Sequence, residues 1–181
     1  MGQQLYCTWT HRTGLPASLK SQFGDLDFLV SDIIAKARER LLIVAPYLSV
    51  PGLKKLKGPL AAAATNGAWI RLVTSGLKDS TCWNAKALKS LVGDSEGGII
   101  RKRLRVLCAT EESDIFIHAK VVVADHLTGY LGSANLSNAG FDHNVEVGVA
   151  LSSDQAAALE RLLDVFEASG VIEDVTKDVL V

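Results

Sequence analysis

His118 and Lys120 stand two residues apart inside the apolar, β-branched run 115–124, Ile-Phe-Ile-His-Ala-Lys-Val-Val-Val-Ala. On an extended strand that spacing puts both side chains on one face, about 6.5–7 Å apart along the chain. Ile117, Ala119 and Val121 are then expected to face the other way, into apolar packing. An unpaired ammonium is costly to bury, so an anionic group or a wet cleft is expected in front of the pair. Further along come Asp125 and the run Gly132-Ser133-Ala134-Asn135, then Asn144 and Glu146. These are residue types that hold an anion: a point charge, a hydroxyl, a neutral amide, and a glycine that lets backbone come close.

Spelled as a pattern, residues 118–135 read H-x-K-x4-D-x6-G-S-x-N, with six specified positions in eighteen residues. This resembles the signature of the phospholipase D superfamily, the HKD motif. Asn144 and Glu146 resemble the downstream Asn-x-Glu of that family, and 44–49, Val-Ala-Pro-Tyr-Leu-Ser, looks like the end of its first strand. The resemblance implies phosphodiester cleavage with no metal or other cofactor. Such a reaction needs a nucleophile, a proton for the leaving oxygen, and fixed positive charge on the transition state. His118 would attack phosphorus and form a covalent phosphohistidine. A second, protonated imidazole would supply the leaving-group proton and later activate water. Lys120, Asn135 and Ser133 would hold the non-bridging oxygens, with Gly132 giving room. Glu146 would hold the imidazole tautomer. Asp125 belongs to the motif and is kept among the candidate catalytic residues, although past the strand end its simpler role is to shape a turn.

The chemistry wants two imidazoles, and the chain carries one motif. His11, His126 and His143 have no lysine two residues later. The resemblance therefore implies a homodimer that shares one site, an isologous arrangement common among oligomers. Small single-motif relatives are nucleases, some of them in restriction or phage-defence settings. The expected activity is thus a metal-independent nuclease, with DNA ahead of RNA as substrate and defence-complex proteins as further partners. Two other readings stand beside it. One is a lipid phosphodiesterase of the phospholipase D type, which would want an amphipathic interfacial helix that the sequence does not display. The other is a nucleic-acid-binding subunit without turnover.

The elements that must place these residues alternate between strand and helix. Residues 25–40 predict an amphipathic helix with Leu26, Leu29, Val30, Ile33, Ile34 and Ala37 as its apolar stripe. Strands are expected at 41–45, 69–74, 104–108, 115–124, 130–132 and 145–151. Further helices are expected at 57–66, at 84–92 ahead of Gly93, and from Ser152 or Ser153 to about Ser169, ahead of Gly170. Residues 46–52 read as a loop, and 171–181 as a tail or an edge strand. The pattern predicts one α/β domain over 1–181, a mixed sheet with helices on both faces.

Composition narrows the partners. The chain has 181 residues, 48% hydrophobic and 22% charged, and a formal charge of −1, so a globally basic nucleic-acid binder is excluded and any polyanion site is local. The run Arg101–Arg105 is read as a solvated edge or a phosphate-tracking patch that, doubled in a dimer, would line the groove. Lys54, Lys55 and Lys57 are read the same way. Tyr47 follows a strand end and is a candidate for lining the cleft. His11 and Arg12 lie in an N-terminal segment that would reach the site entrance. Cys7, Cys82 and Cys108 show no metal or disulfide spacing. The N-terminus lacks the layout of a secretion signal, and the apolar runs are short of a bilayer span, so a cytoplasmic protein without stable membrane association is expected.

Overall fold

In the computed structural model, which describes residues 4–8, 16, 18, 21–77, 81–110 and 112–180, two short strands open the chain. These are β1 (Leu5–Cys7) and β2 (Phe23–Asp25), each three residues long. Strands this short carry no readable alternation, so sequence periodicity passes over them. Asp25 then caps α1 (Leu26–Lys36), its carboxylate accepting the Phe28 N–H at 3.0 Å. The predicted stripe is buried at Leu26, Val30, Ile33, Ile34 and Ala37, with Leu29 packed at its margin.

β3 (Arg40–Val44) leads into α2 (Val50–Asn66), which starts at Val50 rather than near residue 57. Ser49 caps it, accepting the Gly52 N–H at 3.1 Å, and Pro51 sits in the first turn, where a missing N–H is harmless. The proline that looked like part of a loop is the helix start. β4 (Trp69–Thr74) and α3 (Trp83–Val92) follow as expected. A short α4 (Ser95–Arg101), opened by Asp94, is an element the sequence does not announce, because Gly97 and Gly98 dilute its helical signal. β5 (Leu104–Ala109) comes next.

The strand expected from Ile115 begins only at Val121. Residues 113–120 pair with no strand, and β6 is Val121–Ala124. Burial does not follow the predicted alternation there: Ile117 and Val121 are buried, but Ala119 is exposed and Lys120 is buried. β7 (Thr128–Gly132), a π-helical turn (Ala139–His143) and β8 (Val147–Leu151) complete an antiparallel meander. α5 (Ser153–Ala168) has a full capping box between Ser152 and Gln155. The tail resolves as an edge strand, β9 (Ile172–Asp174), and a one-turn α6 (Thr176–Val179).

Among the described residues the sheet order is β2-β1-β8-β7-β6-β3-β4-β5-β9. β3, β4 and β5 run parallel, joined by helical crossovers, while β6, β7 and β8 are antiparallel. One face packs Leu41, Ile43, Ile70, Leu72 and Val106 against α1, α2 and α3. The other packs Leu42, Val44, Val73 and Val123 against Ala156 and Leu163 of α5. The sheet is therefore mixed and covered by helices on both faces, as the sequence predicts. Its register brings the end of β3, the start of β6, the end of β7 and the start of β8 to one end, because Val44 pairs with Val121, Val121 with Leu131, and Gly132 with Gly148.

Candidate active site

That end of the sheet holds most of the candidate residues. Lys120 precedes β6, and its carbonyl accepts the Gly132 N–H at 3.2 Å, which ties it to the end of β7. Its ammonium lies 3.2 Å from both ring nitrogens of His118 and donates to the His118 carbonyl at 2.8 Å. The pair meets as the spacing predicts, but on an extended lead-in rather than on a paired strand. Only 8% of Lys120 is exposed. Burial pushes its pKa below the ordinary lysine value, against the pull of the Glu146 carboxylate.

Glu146 is itself buried, with 7% exposed. Its carboxylate accepts from the Ser133 hydroxyl and, at 3.0 Å, from the Asn144 amide. Its backbone is held by Thr8, just past β1: the Thr8 N–H donates to the Glu146 carbonyl at 3.0 Å, and the Glu146 N–H donates to Thr8 Oγ1 at 2.9 Å. The short N-terminal strand thus positions a site residue. Among the described residues this carboxylate bonds to Ser133 and Asn144 and not to His118, so within one protomer it does not hold the ring as the resemblance implies. What it supplies is a buried negative charge behind Lys120 and a fixed Ser133.

The turn carrying Ser133 and Asn135 is built on Tyr130. The Tyr130 hydroxyl accepts the Ala134 N–H at 3.1 Å. Burial pushes this phenol up to about 12, so it is neutral and keeps its proton. The ring lies against Gly132 and Gly148, where any Cβ would overlap it. The same turn docks on the start of α2. The Ser49 N–H donates to the Leu136 carbonyl at 3.2 Å and Ser49 Oγ accepts the Asn138 N–H at 2.8 Å. A Cβ at Gly52 would strike that Leu136 carbonyl, so glycine is needed for the approach. Asn135 Oδ1 is buried with no hydrogen-bond partner among the described residues. An unpaired buried amide costs about 1–3 kcal/mol, and such costs concentrate at functional sites.

Aromatic rings frame His118. Phe116 lies 5.7 Å from it between centroids, and Tyr47 meets it edge-on at 6.4 Å. Tyr47 thus lines the cleft as expected. Phe116 was missed: it reads as one more apolar residue of a buried strand, yet it is 58% exposed.

Asp125 is a correction. It lies past the far end of β6, about 16 Å along the chain from Lys120 at 3.3 Å per residue. Its carboxylate accepts the N–H groups of Arg38, Glu39 and Arg40 at 2.8–2.9 Å. With φ of 55° and 58°, Asp125 and His126 form a left-handed turn between β6 and β7. The residue braces the turn and touches nothing in the site. Of the two readings of the basic run, the edge is the one the structure matches. Arg105 donates to Asp174 and Glu167 at 2.8 and 2.7 Å, Arg103 stacks on Trp69, and both sit at the starts of β4 and β5, the end of the sheet opposite His118. Arg103 and Arg105 are thus engaged at an edge away from the site, and Arg101 and Lys102 are exposed beside them. Lys55 and Lys57 are likewise paired, with Asp142 and Asp94. His126 contacts Glu160 in the turn beyond β6, and His143 contacts Asn138. His11 and Arg12 fall outside the described residues.

Comparison with known proteins agrees with this geometry. Residues 30–168 match the family model described as "Cardiolipin synthase, PLD-like domain". Cardiolipin synthase A of Pseudomonas aeruginosa is 32% identical over 135 residues, which is 74% of this chain and 25% of that protein, so the chain spans about a quarter of that relative. The crystal structure of Nuc, a phospholipase D family member from Salmonella typhimurium, superposes with a TM-score of 0.63 at 18% identity, covering 96% of this chain and 98% of Nuc. NucT from Helicobacter pylori gives 0.54 at 15% identity, covering 92% and 97%. The phosphatidylserine synthase of Haemophilus influenzae gives 0.65 at 15% identity, covering 95% of this chain and 39% of the synthase. The fold, the His118–Lys120 pair with the Gly132–Asn135 turn behind it, and the family match over 30–168 lead to one conclusion: the chain belongs to the phospholipase D-like family.

Proposed function

We propose that this protein is a metal-independent phosphodiesterase that cleaves nucleic acid through a phosphohistidine at a site shared by two copies of the chain. The observation that carries the chemistry is the His118–Lys120 contact in front of the buried Glu146 and the exposed Ser133 bonded to it. The ammonium rests on the imidazole. A phosphodiester entering the cleft would draw it to a non-bridging oxygen and free a ring lone pair. The His118 nitrogen would then bond to phosphorus as the P–O bond to the leaving group breaks. The protonated imidazole of the second copy would give its proton to the departing oxygen. That imidazole, now neutral, would take a proton from water as the water oxygen attacks phosphorus and breaks the P–N bond. Asn135 and Ser133 would steady the equatorial oxygens.

Among the described residues, His118 is the imidazole that meets Lys120, and this supports a two-fold assembly that brings a second. Beside Glu146, on the α5 side of the sheet, Leu5, Leu131 and Val147 are 40–50% exposed. Helix α5 does not cover them, and a second copy seated there would stand next to the incomplete site. The nucleic-acid reading is supported by likeness over nearly the whole length of Nuc and NucT, whereas the lipid-named relatives are matched over 25% and 39% of theirs. A restriction or phage-defence setting goes with that reading. The second reading, a lipid-directed phosphodiesterase, is favoured by the sequence likeness to cardiolipin synthase A. Assays with chelator present, on single- and double-stranded DNA, RNA and phosphatidylglycerol vesicles, separate the two. Nucleic-acid cleavage that persists in chelator and disappears in His118→Ala is the expected result. Release of lipid headgroup without nucleic-acid cleavage would favour the second reading.

A further inference from the structure

Beside the catalytic pair lies a cleft that the reaction just described does not use. It measures about 190 Å³ and is lined by Pro46, Tyr47, Ser75, Trp83, Asn84 and Phe116 among others. A second cleft of about 300 Å³ adjoins it through Ser75, Gly76 and Phe116. Three of the lining side chains are large aromatics left open to solvent: Trp83 is 85% exposed, Phe116 58% and Tyr47 52%. Tyr47 and Phe116 are 6.4 Å apart between centroids and both pack on the His118 ring. Grouped, exposed aromatic faces beside a catalytic histidine are unusual for an uncommitted surface, since exposed apolar patches mark binding sites.

Resting on the nucleic-acid reading, we propose that Tyr47, Phe116 and Trp83 form a stacking platform for an unpaired base next to the scissile phosphate, which makes single-stranded nucleic acid the substrate class. Three observations carry it. The first cleft has no Leu, Ile or Val among its lining residues, so its surface is planar and aromatic where an acyl chain would want aliphatic walls. Every base has a π-face, and aromatic stacking tolerates any sequence. The platform also has its own cation: exposed Lys86 sits 5.9 Å from the Trp83 ring, one helical turn along α3, where it can meet a neighbouring phosphate. Finally, the platform touches His118 itself, so a base stacked there belongs to a nucleotide adjoining the reacting phosphate. A base inside a duplex is stacked on its neighbours and cannot present its face to a protein ring.

The test measures kcat/KM on a single-stranded oligonucleotide with one cleavable linkage, and on the same strand with an abasic residue beside that linkage. In the unmodified protein the base-containing strand is expected to be cleaved about 5- to 100-fold more efficiently, the range that one base–aromatic stack supplies. Trp83→Ala should erase most of that ratio while changing cleavage of the abasic strand about twofold or less, and Phe116→Ala, which also removes a ring from His118, should slow the base-containing strand more than the abasic one and so lower the ratio too. Phe116→Trp should restore it. The abasic strand guards against a merely structural effect on His118, which would slow both substrates alike. Equal losses on the two strands, or an unmodified protein that ignores the missing base, would overturn the platform while leaving the nuclease reading intact. Cleavage of vesicle lipid with no cleavage of any strand would remove both.

Discussion

Lys120 carries its charge into a buried position at the junction of β6 and β7, and this separates stability from chemistry at one residue. Its pKa is depressed mainly by burial, so the protonated form that phosphate binding needs is the form the fold disfavours. Lys120→Met should lower kcat by about 10²- to 10³-fold, as loss of one transition-state donor does. The same variant should melt no lower than the parent, read by thermal denaturation at pH 7. Asp27 offers a pH test outside the site. Burial, with Asp25 and Asp142 adding to it against Lys55, pushes its carboxyl up to about 6, and its Oδ1 has no partner among the described residues. A raised folded pKa means that its contribution is complete below about pH 4 and is lost as pH rises through about 6. Asp27→Asn should flatten that fall and, discounted for partial exposure, stabilise the protein by about 1 kcal/mol at pH 7.5. Urea unfolding at pH 4.5 and 7.5 reads both effects.

The turns at the two ends of β6 divide the motif between catalysis and architecture. Burial alone would raise the Asp125 carboxyl, but the N–H groups of Arg40, Glu39 and Arg38 outweigh it and hold the pKa below its ordinary value. Its stabilisation is therefore present above about pH 4 and lost as pH falls further. Asp125→Ala should cost about 2–3 kcal/mol, while kcat per folded molecule stays within about twofold. Gly148→Ala, which drives a methyl into the Tyr130 ring, should unsettle the Ser133–Asn135 turn and lose both stability and activity. These contrasts show what the sequence could reveal. Spacing sufficed to bring His118 and Lys120 together and to set Ser133 and Asn135 at the same end of the sheet, because residues of one motif are positioned by one hairpin. It was silent on Thr8, whose grip on Glu146 spans 138 positions, and on Phe116, whose exposure depends on residues 113–120 leaving the sheet. The start of α2 was hidden because Pro51 signals a break and an N-terminus equally well.

At the scale of the molecule, charge and assembly become one question. The chain is near neutral, Arg105 of its basic run is paired with Glu167 and Asp174 at the far end of the sheet, and among the described residues His118 is the imidazole beside Lys120. Under the proposed reaction, the second histidine and added positive charge would come from another copy, seated against the exposed strip of Leu5, Leu131 and Val147. Val147→Asp, which places a charge on that strip, should shift the protein toward monomer in sedimentation velocity and reduce activity in proportion to the dimer lost. The most direct test of the shared site mixes parent chains with His118→Ala chains, lets subunits exchange, and follows phosphodiesterase activity against composition at fixed total protein. If two copies each give one imidazole, only parent–parent pairs work, and an equal mixture retains about a quarter of the activity. Activity that falls in direct proportion to the parent fraction, leaving about half at equal mixing, would contradict the account, because each chain would then carry a complete site of its own.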